Sequence, residues 1–414
     1  MSSNPSTAAA PPPIDRKLLE YGILRQMDIQ NLEYPAELPV HDQLPTALEF
    51  AQLVYRNVPV KFSGTAAAGT TAPSNPWTTT AERWGQHPTY LRDTLATTTL
   101  AVAETPLGNA DAPLDGRYFV QPHVRPMSGE AYFSLPCSSS SSSNNNNNNN
   151  SGSEFQANSA NSCVSDNSCL PRADPGSAAV TPNQNSASLQ PSRPSRHGTP
   201  TKIVRYMQSQ DNNFPREFPA LAHDAPHSLA FADAALGAPP AAVNLWLGRD
   251  LETVSRLHND NYENIYVQVS GTKELFLIPP GDAYALDERF LTPACYDADM
   301  NLVVDTVAGH KVLFPTVDPN DPTTHNEVFR RHALVYRVVL EPGDMLYLPA
   351  LWYHQVGVAG VGAANGTNVS LNYWYNPAPS SGLWMKWDYV RLTALLLRGY
   401  HDDDYFDLDS DDDV

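Results

Sequence analysis

The stretch VNLWLGRDLETVSRLHNDNYENIYVQVSGTKELFLIPP, residues 243–280, decides the fold of this chain. It contains three short runs rich in β-branched and aromatic residues, at 243–247, 265–269 and 273–278. Runs of this length and composition are typical of β-strands, and a Ser-Gly pair such as Ser270-Gly271 is a turn signal between two of them. The stretch therefore predicts strands joined by tight turns.

Similar runs lie on both sides of this stretch and are separated by Gly and Pro, as in Glu341-Pro342-Gly343-Asp344. The further predicted strands are 58–62, 99–104, 117–121, 203–208, 334–340, 345–348 and 367–375. We expect 99–104 and 117–121 to pair with each other around 108–116. Many short strands punctuated by Gly and Pro predict a mainly β fold, a double-sheet jelly roll.

Helical patterns flank the strands, at 14–33, 44–57 and near 80–95, and an aromatic-rich helix is predicted over 383–400. The predicted organisation is a disordered N-terminus (1–13), an N-terminal helical and strand part (14–136), a disordered insertion (137–200), the jelly-roll core (201–380), a C-terminal helix (381–401) and an acidic tail (402–414).

The predicted insertion is rich in polar residues and includes a serine run at 138–143 and an asparagine run at 144–150. Such a segment cannot bury enough apolar surface to offset the entropy of ordering, so we expect disorder. The chain carries a net charge of −19, and its last thirteen residues include eight Asp. This balance argues against nucleic acid as a direct partner. The tail is interpreted as a solvated segment, with attraction of a basic partner as the alternative.

The four cysteines show neither a disulfide framework nor zinc-ligand spacing. The N-terminal residues MSSNPSTAAAPPP lack the order of a signal peptide, and no apolar run reaches the roughly 18 residues of a membrane span. We therefore expect no membrane association and a cytoplasmic location, with the nucleus as an additional possibility.

His258, Asp260 and His354 form the candidate metal site. Residues i and i+2 of an extended segment point to the same side, so His258 and Asp260 can converge on one ion. Two imidazoles and one carboxylate on one face of Fe(II) leave positions for a co-substrate and dioxygen. A lone His-x-Asp is more often an ordinary surface feature, and residues at other positions give this one its weight.

Lys273 is the first of these residues. Burial of a lysine ammonium on the inward face of a jelly roll is costly unless an anion pairs with it. The distal carboxylate of 2-oxoglutarate is such an anion, and the hydroxyls of Tyr206 and Ser255 are candidate donors to it. Asn264 and Asn372 are candidates to bond the ketoacid end. Each residue alone also has a structural explanation: Lys273 as a solvated strand residue, the asparagines as core groups.

These motifs together resemble the JmjC domain. The resemblance covers most of residues 14–400 and is broken mainly by the predicted insertion. It is carried by 243–280 and by LTPA (291–294), PGDMLYLPALWYHQV (342–356), SLNYWY (370–375), RNVPVKFSG (56–64), TPLGNADAPLDGRYFVQP (105–122) and RYMQSQDNNFPREFPAL (205–221).

The resemblance implies a double-stranded β-helix, a cupin-like jelly roll, that binds Fe(II), 2-oxoglutarate and O2. The implied iron ligands are His258, Asp260 and His354, and the implied co-substrate contacts are Lys273, Tyr206, Ser255, Asn264 and Asn372, with Gln208 as a neighbour. By the same resemblance, we expect a protein hydroxylase that acts on a lysyl side chain, with O2 consumed and succinate and CO2 released.

Three other functions stay open at this point: an endopeptidase acting on histone tails, an N-methyl-lysine demethylase, and a cupin-like binding protein without catalysis. The demethylase would need a methylammonium pocket, and the peptidase would need a general base that the motifs do not supply. The expected partner is a protein that presents a lysine, in a basic segment that the acidic surface would attract. We also expect a homodimer packed through C-terminal helices, with the alternative that the predicted helix at 383–400 covers its own core.

Overall fold

The structure is a computed structural model that describes residues 15–64, 76–136, 202–305, 310–362, 364–377 and 382–400. The predicted disordered N-terminus, the Ser/Asn-rich insertion and the acidic tail lie outside the described residues. The predictions for these three segments therefore stay predictions.

Helices occur at both ends of the described chain and also between the strands. The α-helices are α1 (Arg16–Glu33), α2 (Ala47–Arg56), α3 (Thr78–Ala81), α4 (Tyr90–Leu95), α5 (Gly129–Ser134), α6 (Asn213–Glu217), α7 (Ala230–Leu236), α8 (Glu327–His332) and α9 (Leu383–Arg398). A π-helical turn follows α3 at Glu82–Gln86, and 3₁₀ helices occupy Pro280–Leu286 and Pro322–Thr324.

Strands make up most of the core. They are β1 (Val40–His41), β2 (Val60–Phe62), β3 (Thr99–Thr105), β4 (Asn109–Ala110), β5 (Ala112–Leu114), β6 (Tyr118–Gln121), β7 (His123–Ser128), β8 (Val204–Met207), β9 (Ala242–Gly248), β10 (Val254–Asn259), β11 (Glu263–Ser270), β12 (Thr272–Ile278), β13 (Arg289–Tyr296), β14 (Leu302–Val304), β15 (Val312–Phe314), β16 (Tyr336–Leu340), β17 (Met345–Leu348), β18 (Tyr353–Gly360) and β19 (Asn368–Tyr375).

Two of the sheets form the barrel. The large sheet has nine strands in the order β1-β2-β17-β11-β19-β9-β8-β3-β7, and the small sheet has five in the order β16-β12-β18-β10-β4. Side chains of both sheets meet in one apolar cluster, in which Tyr266 and Leu348 of the large sheet join Leu275 and Val338 of the small one. Face-to-face packing of this kind confirms the predicted jelly roll. A third sheet has its strands in the order β14-β13-β6-β5, and β15 pairs with β13.

The two faces of the large sheet differ in chemistry. On β11 and β19, Ile265 is in register with Tyr373 and Val267 with Leu371. These side chains belong to the largest apolar cluster, which also takes in Phe50 of α2. The side chains that alternate with these residues along the same strands lie on the opposite face of the sheet. They include polar residues and face the barrel interior.

The predicted pairing of 99–104 with 117–121 is wrong. Strand β3 pairs instead with β7 and β8 in the large sheet, whereas β6 pairs with β5 and β13. The chain returns to β3 only after β6, in β7. Local alternation identified both segments as strands, but it contains no information about which strand becomes the neighbour.

Helices α1 and α9 pack together against the small sheet. Ile23 and Met27 of α1 pack with Trp387 and Val390 of α9 and with Leu286 of the 3₁₀ helix. Helix α1 begins at the N-cap Asp15, and α9 ends at Gly399 in the left-handed conformation (φ 92°). Of the described helices, none combines the length and the apolar character that a membrane span requires.

Candidate active site

Two neighbouring strands of the small sheet carry the candidate metal ligands. Strands β10 and β18 are antiparallel, and His258 lies directly opposite His354. Asp260 follows the end of β10; its carboxylate oxygens lie 4.0 Å from Nε2 of His258 and 3.7 Å from Nε2 of His354. One ligand atom of each of the three residues lies within 4.8 Å of the other two. The three residues that the sequence predicted as metal ligands are therefore close together in space.

Both imidazoles are oriented by the backbone. Nδ1 of His258 lies 2.6 Å from the carbonyl of Arg256, and Nδ1 of His354 lies 3.0 Å from the carbonyl of Trp352. Such bonds place the proton on Nδ1 and leave the lone pair of Nε2 for a metal. Burial, together with the nearby His258, lowers the pKa of His354 to about 4, so the ring is neutral. Two imidazoles and a carboxylate form a donor set that fits Fe(II).

A cavity in the barrel is lined by Tyr206, Ser255 and Lys273, among other residues. On β12, Lys273 is in register with Val358 of β18, and Leu277 is in register with His354. Since Lys273 and Leu277 are four residues apart on one strand, Lys273 and His354 share one face of the sheet. The strand register thus places Lys273 on the inward face of the small sheet, as predicted from the sequence.

The polar groups of this cavity are held in place. Lys273 Nζ donates to the Tyr266 hydroxyl at 2.7 Å, and the Tyr206 hydroxyl donates to Oε1 of Gln208. Burial raises the pKa of Tyr206 well above its ordinary value, so the hydroxyl keeps its proton and remains a donor. An ammonium and a phenol together offer positive charge and hydrogen-bond donors to a carboxylate.

The two predicted asparagines lie on the inner face of the large sheet. Asn372 is in register with Tyr266, and its Oδ1 accepts a hydrogen bond from Trp246 Nε1 at 3.2 Å. Asn264 is buried, and within the described part of the chain its Oδ1 has no hydrogen-bond partner. A buried acceptor without a donor is costly and is therefore a candidate contact for a bound polar ligand.

Sequence reasoning missed Asp111. Its Oδ2 accepts a hydrogen bond from Nε2 of Gln208 at 2.8 Å, and its charge interacts with that of His258. Asp111 has a left-handed backbone conformation (φ 49°), which Asp tolerates better than most residues. The Asp-Ala-Pro segment that begins at 111 was part of the family resemblance, but no ligand spacing singled it out.

Comparison with known proteins gives a match to the model of the cupin-like domain over residues 45–381. A human protein named bifunctional peptidase and (3S)-lysyl hydroxylase JMJD7 is 38% identical over 42% of this chain and 54% of its own length. The Arabidopsis thaliana lysine-specific demethylase JMJ32 is 34% identical over 42% of this chain and 52% of its own length. The Dictyostelium discoideum JmjC domain-containing protein E is 33% identical over 42% of this chain and 54% of its own length. The chain thus spans about half the length of these relatives.

Proposed function

This chain belongs to the cupin-like domain family, and we propose that it is an Fe(II)- and 2-oxoglutarate-dependent oxygenase that hydroxylates a lysyl side chain of a protein. The observation that carries the proposal is the position of the ligand triad. His258, Asp260 and His354 converge within one barrel that also holds the inward ammonium of Lys273. A candidate metal site and a candidate carboxylate site in one barrel match the needs of a metal-bound ketoacid co-substrate.

Each part of the site has a role in this proposal. The triad would hold Fe(II), and Lys273, Tyr206 and Ser255 would hold the distal carboxylate of 2-oxoglutarate. Bound together, the metal and the ketoacid supply the oxidising chemistry: O2 converts 2-oxoglutarate to succinate and CO2, and its second oxygen atom is inserted into a substrate C–H bond.

The residues of the chain itself bind, orient and exclude water. The protonated Tyr206 hydroxyl and the Lys273 ammonium fix one end of the co-substrate, so its reactive end is directed toward the triad. Asn264 and Asn372, on the facing sheet, would bond groups near that reactive end, with Gln208 holding Tyr206. The apolar side chains that pack around Leu275 and Leu277 would help to exclude water from the site.

Lysine as the target rests on two relatives. The names of the human and the Arabidopsis thaliana proteins both refer to lysine, although to different reactions. The net charge of −19 favours encounter with a basic protein segment around the target side chain. Hydroxylation is the reaction we propose because it requires neither the methylammonium pocket of a demethylase nor the general base of a peptidase.

The test is mass spectrometry of basic lysine peptides incubated with the protein, Fe(II), ascorbate and 2-oxoglutarate. We expect a gain of one oxygen on lysine, lost in His258→Ala and retained in His223→Ala, which removes an exposed histidine elsewhere. Loss of a methyl group from methyl-lysine would instead support a demethylase, and chain scission would support a peptidase. Binding of 2-oxoglutarate without any turnover would support a cupin-like binding protein.

We also propose a homodimer packed through α9. Met385 and Tyr389 of this helix are 76% and 65% exposed, while Trp387 and Val390 on its other side are buried. An apolar outer side of a helix that already covers its own core suits contact with a second copy. Light scattering of the Met385→Glu, Tyr389→Glu double variant should give a monomer, with Leu107→Glu as the control at another exposed apolar residue. An unchanged dimer would refute the contact.

A further inference from the structure

Asp111 is a carboxylate beside the metal ligands to which the proposed chemistry has so far assigned no role. It follows β4, which runs parallel to the start of β10, with Asn109 in register with Val254 and Ala110 with Ser255. Asp111 therefore leaves the sheet next to the segment of β10 that continues to His258. This places it between the co-substrate cavity and the candidate metal site.

The carboxylate of Asp111 is held firmly on one oxygen. Gln208 donates to Oδ2 at 2.8 Å, and the other end of the same Gln208 amide accepts the hydroxyl proton of Tyr206. The residue is partly exposed rather than sealed into the core. One oxygen is thus bonded by the protein, and the residue as a whole is not fully buried.

Asp111 differs from two buried carboxylates elsewhere in the chain in what surrounds it. Glu104 is paired with Arg125 and Arg205, and Glu288 is paired with Arg391. Within residues 15–64, 76–136, 202–305, 310–362, 364–377 and 382–400, no Lys or Arg forms an ion pair with Asp111. A carboxylate in this environment gains from a cation brought by a ligand.

We infer that Asp111 is a specificity-determining residue that binds the ε-ammonium group of the substrate lysine. The inference rests on the proposed function and deepens it, since it names the group that would select a cationic side chain. A carboxylate at this position would hold the end of the lysine chain beside the metal ligands, and so would direct a carbon of that chain toward the reacting centre.

The test uses Asp111→Asn in the full-length protein. Asparagine has the same shape, can still accept the Gln208 hydrogen bond, and adopts left-handed backbone angles readily. Asp115→Asn is the matched control, because Asp115 is exposed and has nearly the same backbone conformation (φ 53°). The probes are a lysine peptide that the wild-type protein hydroxylates and the same peptide with norleucine in place of that lysine.

Binding is measured by calorimetry with Mn(II) and 2-oxoglutarate present, so that no turnover occurs. We expect Asp111→Asn to weaken binding of the lysine peptide by roughly 10- to 100-fold, the range for a lost charge-assisted hydrogen bond. Binding of the norleucine peptide, of Mn(II) and of 2-oxoglutarate should stay within about twofold, and Asp115→Asn should behave as wild type.

Three outcomes would overturn the inference. Equal loss of affinity for both peptides would show that Asp111 affects the shape of the site but does not bind the lysine ammonium. Weaker 2-oxoglutarate binding with unchanged peptide selectivity would make Asp111 a positioning residue for Gln208 and Tyr206. If the wild-type protein hydroxylates no lysine peptide, the proposed function fails and this inference fails with it, whereas the first two outcomes leave the proposed function intact.

Discussion

The outer and the inner surface of the barrel are built from the same strands but carry different side chains, apolar on the outer surface and largely polar on the inner surface. The outward side chains of β11 and β19, such as Val267 and Leu371, are fully buried under helices. The inward side chains of the same strands include Asn264, Gln268 and Asn372, which are equally buried. Burial alone therefore does not separate the two surfaces; the chemistry of the buried groups does.

This difference shows where stability and function reside. Apolar groups removed from water on the outer surface stabilise the fold by roughly 25 cal/mol per Å². Buried amides on the inner surface contribute little unless every polar atom is bonded, and Asn264 Oδ1 and Asn244 Nδ2 lack partners among the described residues. Substitutions on the outer surface should therefore change stability, and those on the inner surface should change ligand binding.

Leu371→Ala should have the largest effect, a loss of about 4 kcal/mol in the free energy of unfolding. The side chain is fully buried in the main apolar cluster, and Leu→Ala changes at such sites cost about 2–5 kcal/mol. Urea denaturation measures the loss, and Leu107→Ala at a 58% exposed position is the control. Metal affinity of the folded variant should be unchanged; a loss of affinity as large as the loss of stability would mean that the two surfaces are not independent.

Asp282, outside the barrel in the 3₁₀ helix, should make stability depend on pH. Its carboxylate accepts from Asn31 and from the Leu334 amide, and burial raises its pKa from 3.8 to about 7. Between these values the unfolded chain loses a proton that the folded protein keeps, so the stability contributed by this group falls as pH rises from about 4 to about 7.

Asp282→Asn should remove this dependence and become more stable than wild type by roughly 2–4 kcal/mol at pH 7, with little difference at pH 4. Urea denaturation across this range measures the change. Asp297→Asn is the control of opposite sign, because hydrogen bonds from Asn301 lower the pKa of Asp297. Parallel pH profiles for wild type and Asp282→Asn would contradict the prediction.

His354→Ala should weaken divalent metal binding by at least about 100-fold, roughly 2.7 kcal/mol, because it removes one of three ligands. Mn(II) titration calorimetry measures the affinity, and His223→Ala should bind as wild type. Retention of affinity in His354→Ala would place the metal elsewhere and would remove the basis of the proposed function.

Lys273→Met should weaken 2-oxoglutarate binding by roughly 10-fold or more and leave the free energy of unfolding unchanged or slightly higher. Methionine keeps the length of the side chain and removes its charge. Calorimetry with Mn(II) measures the binding, and Lys386→Met on the exposed side of α9 is the control. A large drop in stability would show that Lys273 supports the fold through Tyr266 rather than the ligand.

Much of this site was accessible from local pattern. Strand alternation along SLNYWY (370–375) puts Asn372 on the same side as Ser370 and Trp374, and in the structure Asn372 is in register with the inward Tyr266. The same reasoning could not find the role of β4, two residues long, which joins the small sheet beside β10. A strand of two residues has no alternation to detect.

The residues 243–280 and 342–356 were enough to predict strands, an inward lysine and a candidate set of three metal ligands. These features depend on side-chain type and on a period of two residues, which act along one strand. The partners of β3, the meeting of Asp111 with Gln208 and His258, and the unbonded oxygen of Asn264 became visible only in the folded chain. They depend on which distant segments pack together, and that choice is made by burial summed over the whole barrel rather than by any one segment.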